Sequence, residues 1–100
     1  MSNVNILVIG RHKQILNTLV GLVNKMENCT AFLADTDESA ITIFKENHIQ
    51  LVLLSSGISQ DSENFIRTNF LKMNNATKII QHYGGGSGLL YNEIMEALIS

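Results

Sequence analysis

The chain is predicted to fold as an α/β domain, a parallel sheet layered between helices, on three observations. Short apolar runs of strand length alternate with longer stretches of helical spacing, in the order βαβαβαβα. One run, Leu51–Leu54 within IQLVLLSSGI, is apolar at every position, as in a strand buried on both faces. Ser55-Ser56-Gly57 follows it, at the carboxyl end of a central strand, where open α/β sheets build their sites.

Each element has its own signal. Val4–Ile9 (VNILVI) is an apolar strand ended by Gly10. From His12 to Met26, residues Ile15, Leu16, Leu19, Val20, Val23 and Met26 form one apolar stripe of a helix that Asn28 stops. Thr30–Ala34 is a short second strand. Thr36 or Asp37 then caps a helix that turns Ala40, Ile41 and Phe44 inward and ends near Asn47. The Ile49–Leu54 strand comes next. Asp61-Ser62 open a third helix, with Phe65, Ile66, Phe70 and Met73 on its buried side, and Asn74-Asn75 break it. Thr77–His82 is a fourth strand, weakened by Gln81. Gly84–Gly88 is a glycine-rich turn, and Leu89–Ile99 a last helix with Leu90, Ile94, Ala97 and Leu98 on one face.

Composition narrows the function classes. One hundred residues make one domain spanning 1–100, and 45% hydrophobic residues can fill its core without staples. The seven Lys and Arg are scattered and the net charge is −2, so no basic stripe follows a nucleic-acid backbone. A single cysteine, Cys29, excludes an internal disulfide and suits a reducing cytoplasm. No signal peptide and no membrane span are evident, and cytoplasmic location is expected. The chain has no proline.

The stretch DESAITIFKENHIQLVLLSSG resembles the middle of a two-component receiver domain. That resemblance implies a flavodoxin-like, CheY-like three-layer sandwich with strand order 2-1-3-4 and two helices on each face. The crevice between the first and third strands is then the default site, lined by Gly10-Arg11-His12 and Ser55-Ser56-Gly57. It also implies chemical parts that this chain lacks. Ser55 stands where the family has its phosphoacceptor aspartate, and Gly10 and Arg11 stand at the metal-holding acidic pair. The signalling Thr or Ser after the fourth strand falls near Tyr83, and the Lys-Pro pair of the fifth strand is missing. Magnesium needs hard oxygen ligands, which an arginine repels, and an unactivated hydroxyl is a poor nucleophile. Only Gly84–Gly88 separates the fourth strand from the last helix, so one strand-helix unit of a full receiver is expected to be deleted. HYGGGSGLLYNEIMEAL resembles the closing turn and helix of sugar-phosphotransferase IIB domains, but Gly10 occupies the place of their phospho-cysteine, and Cys29 lies too far away to substitute.

Other constellations sit at the same end. His12, Ser55 or Ser56, and His82, with Asp35 from the side, offer a Ser-His pair or a two-His-one-carboxylate metal site, although no local spacing supports either and no metal is expected. Gly84, Gly85 and Gly86, ahead of a helix, offer backbone N–H groups to an anion, but no phosphate-binding lysine follows. Arg11 either binds an acidic partner, fills the emptied metal pocket with a permanent positive charge, or is a solvated helix-start residue. The leading expectation is a non-phosphorylatable pseudo-receiver that acts by protein contact, with no cofactor and no enzymatic activity. The alternative is a small-ligand or anion-binding domain, or an enzyme, using the rim residues His12, Ser56, His82 and Gly84–Gly86. A homodimer through the Thr77–His82 edge is expected, because that strand carries no proline and only Lys78 as a firm charge.

Overall fold

The computed structural model describes residues 3–55, 57–82 and 87–99. Four strands, β1 (Val4–Ile9), β2 (Cys29–Ala34), β3 (Leu51–Leu54) and β4 (Lys78–Gln81), alternate with helices α1 (Lys13–Asn24), α2 (Asp37–Glu46), α3 (Gln60–Met73) and α4 (Ser87–Ile99). They form one parallel sheet in the order β2-β1-β3-β4. This is the predicted α/β architecture.

Alternation along the two central strands divides the core. Ile6, Val8, Leu51 and Leu53 point to one side, where Leu16, Leu19 and Val23 of α1 and Leu90, Ile94 and Ala97 of α4 cover them. Leu7, Ile9, Val52 and Leu54 point to the other, under Ala40 and Phe44 of α2 and Ile66 and Phe70 of α3. Period-two geometry does this: neighbours on a strand must face opposite layers. Two helices therefore lie on each face. The Phe44 and Phe70 rings stack with centroids 4.1 Å apart, which joins α2 to α3 and adds roughly 0.5–1.5 kcal/mol beyond the area buried.

Several local expectations need correction. Helix α1 ends at Asn24 rather than Met26, and Asn28 sits in the left-handed region (φ 63°), a conformation asparagine tolerates better than most residues. There its carbonyl accepts from the Val4 N–H. Thr36, not Asp37, caps α2, in a reciprocal capping box with Ser39. Ser59, not Asp61-Ser62, caps α3 by accepting from the Ser62 N–H. The last helix starts at Ser87, so two residues assigned to the glycine-rich turn belong to it. Phe65, Met73 and Ile15 are 45%, 40% and 43% exposed, not core. The helical stripes are narrower than the apolar lettering suggests, because each helix meets the sheet along one line only. Phe70 and Ile66, the other two residues of the α3 stripe, are wholly buried.

Among the described residues no helix is long and apolar enough to cross a membrane. Leu53→Ala is expected to lower stability by about 2–5 kcal/mol, as for a large aliphatic removed from a packed core. Met73→Ala should cost less than about 1 kcal/mol, as for an exposed side chain. Urea unfolding of the two variants measures the contrast.

Candidate functional site

The carboxyl end of the sheet is built by the β1–α1, β2–α2 and β3–α3 connections. Gly10 is buried where β1 ends, its N–H donating to the Ala34 carbonyl. A Cβ there would lie 3.0 Å from the Ser55 Cβ and 3.1–3.2 Å from the Leu16 side chain. No acidic side chain fits at this position without displacing both neighbours. Ser55 is 3% exposed, and its N–H extends the β1–β3 ladder to the Ile9 carbonyl at 2.7 Å. Its hydroxyl lies at the foot of the crevice and offers little surface to an incoming donor.

Arg11 bridges the neighbouring connections. Its guanidinium donates to the Asp35 carbonyl at 3.1 Å, to the Asp37 carboxylate at 2.6 Å and to the Ser62 hydroxyl at 3.3 Å. Ser62 in turn donates to the other Asp37 oxygen at 2.9 Å. Three connections are thus tied by one cation, a task suited to a planar fork of five donors. Gly57 packs beside it. Its φ of +89° favours glycine, and a Cβ there would lie 3.0 Å from the Arg11 Cβ and 3.1 Å from the His12 ring. The β3–α3 connection is therefore folded directly onto Arg11 and His12.

The remaining candidates do not converge on this point. The His12 ring is exposed, lies near Gly57 and hydrogen-bonds to no described residue. His82, whose side chain is 7% exposed, pairs through Nδ1 with the Glu93 carboxylate and so ties the end of β4 to α4. Asp35 is exposed and contributes its backbone carbonyl, not its carboxylate. Among the described residues no three His, Cys, Asp or Glu side chains gather into a metal-holding group. Ser56, Tyr83, Gly84, Gly85 and Gly86 lie outside the described residues. Remote from the rim, burial pushes the Cys29 thiol up from its ordinary value.

No protein family matches the chain by sequence, and no curated protein does. Solved structures do match. The crystal structure of a two-component transcriptional regulator AraC from Clostridium phytofermentans ISDg superposes with a TM-score of 0.75, over 97% of this chain and 93% of that one. The chain has a receiver-like fold. At 14% identity the likeness carries the fold alone, and the four units β1–α4 match nearly the whole of both chains.

Sequence reasoning placed Gly10, Arg11 and Ser55 at the rim but missed Asp37 and Ser62 as partners of Arg11. In the sequence both are ordinary residues near helix starts, and a contact across 26 or 51 positions leaves no local signal. The close packing at Gly10 is testable against the open site at Gly21, where a Cβ meets nothing within 4 Å. Gly10→Ala should destabilise by about 1–3 kcal/mol through overpacking. Gly21→Ala, in the middle of α1, should stabilise by roughly 0.5–1 kcal/mol. Thermal or urea unfolding gives both signs.

Proposed function

We propose that this chain is a pseudo-receiver: a receiver-like module that acts by protein contact in signal transduction, in the cytoplasm, without accepting a phosphoryl group and without catalysing a reaction. The observation that carries the reading is the rim itself. Where a phosphorylation site needs two acidic metal ligands and a carboxylate acceptor, this chain has a glycine at which a side chain must displace Ser55 and Leu16, an arginine paired to Asp37, and a buried serine. A guanidinium there repels a divalent cation. The Asp37 carboxylate, already shared between Arg11 and Ser62, is a poor substitute ligand. A ligand-binding or enzymatic reading draws on His12, which is exposed, and on His82, which is paired with Glu93, and no specific observation favours it.

Incubation with acetyl phosphate and magnesium is expected to give no adduct by intact mass. Ser55→Asp should also stay unlabelled, since Gly10 and Arg11 are unchanged. A stoichiometric, acid-labile adduct on the wild type would overturn the proposal.

Self-association is part of the same reading. Strand β4 is an edge strand, paired on one side only with β3. Ile79 and Ile80 are partly buried, and Leu71 on the neighbouring flank of α3 is 44% exposed. Arg67, one turn before Leu71 and paired with Glu63 at 2.8 Å, reaches the Ile79 carbonyl at 3.5 Å and shields part of the edge. A second copy that packs on this edge buries the apolar flank and competes with Arg67 for that carbonyl. Light scattering across a concentration series should report a dimer that Leu71→Lys weakens. A wild type that stays monomeric at high concentration would remove the edge as a self-contact.

A further inference from the structure

The Arg11 contacts carry a consequence beyond the loss of a phosphorylation site. In an open α/β sheet the connections at the carboxyl ends are separate loops, free to move around a ligand. Here one guanidinium spans three of them: its own, the Asp35–Asp37 connection and the first turn of α3 at Ser62. Below it, Gly57 rests against Arg11 and His12, and Gly10 is packed against Ser55 and Leu16. The body of α3 is fixed to α2 by the Phe44–Phe70 stack. The start of α3 has a lighter apolar anchor, the half-buried Ile58 ahead of its cap, because Phe65 is 45% exposed and Ile66 is the first buried residue of the helix. Its polar attachment to the rest of the rim is the charged cluster.

We infer, on the reading of the rim as unphosphorylated, that Arg11 is a positioning residue that latches the rim closed, so that the arrangement of the α2 and α3 starts is set by an internal ion pair and responds to ionic strength. The side chains of Arg11 and Asp37 are 29% and 30% exposed. Surrounding ions therefore reach the pair, and its strength falls as salt rises. Lysine cannot replace the arginine, since a single ammonium does not span acceptors on both Asp35 and Asp37 as the fork does. The latch takes the place of an added group: the cation is permanent, and the condition that weakens it is salt rather than a phosphatase.

Amide hydrogen exchange on the full chain tests this. The reporting amides are Ser39 and Ala40, held by Thr36, and Ser62 and Glu63, held by Ser59. Amides of β3 report global opening. In Arg11→Ala the four rim amides should exchange about tenfold faster, the size expected for losing a part-exposed charge-assisted cluster, while β3 amides keep their wild-type rates. Arg11→Lys should fall between the two. Raising salt from about 0.05 M to about 1 M, where the screening length shrinks to roughly 3 Å, should speed the same amides in the wild type and leave Arg11→Ala unmoved. The salt comparison also stands alone if the alanine variant fails to fold. Unchanged rim amides, or an equal rise in β3, would overturn the latch. Phosphoryl labelling would overturn the pseudo-receiver reading and is scored independently of exchange, so the two failures are distinguishable.

Discussion

The structure depends on the pairing of β1 with β3. Ile6 through Ile9 and Leu51 through Leu54 are buried to 1% exposure or less, and they meet in register from Ile6 opposite Leu51 to Ile9 opposite Leu54. Each of these side chains belongs to one of two separate apolar layers, so a slip of one residue would exchange the layers wholesale. Every helix is then placed by which layer it covers. Removal of either strand would take away half of the fully buried centre on which both helix pairs pack.

The same pairing makes the rim. Because β1 and β3 run side by side to their ends, Gly10 and Ser55 come into contact at the point where the strand order turns outward in both directions. In this fold that point is normally where a ligand enters. Here Gly10 packs closely on Ser55 and Leu16 at that point. Beside it Arg11 is a cation satisfied by a carboxylate, a carbonyl and a hydroxyl of its own chain.

Several polar side chains elsewhere likewise tie elements together. His82 holds β4 to α4 through Glu93, Thr77 holds the start of β4 to the Ile49 carbonyl, and Asn5 holds β1 to the His48 carbonyl. No buried side-chain nitrogen or oxygen among the described residues is left without a partner. Such bonds add little net stability each, but leaving one partner unmade would cost more. They specify how the layers sit. This matters for a chain in which 16% of residues are charged, against about 25% in an average domain.

By itself the sequence determined the number, order and kind of elements, because apolar spacing is a local property that follows directly from the 3.6- and 2-residue periods. It also determined that Leu51–Leu54 is central, since four consecutive apolar residues need cover on both sides, and that Gly10, Arg11 and Ser55 would meet at the rim. Helix boundaries shifted by a turn or less, where capping by Thr36 and Ser59 competed with equally plausible neighbours. Phe65 and Met73 read as core because hydrophobicity does not say how wide a stripe the sheet can cover. Only the tertiary structure decided what Arg11 does. Asp37 and Ser62 are ordinary helix-start residues until the crossovers bring three connections within the reach of one guanidinium, and that proximity is a property of the packed sheet and of no single segment.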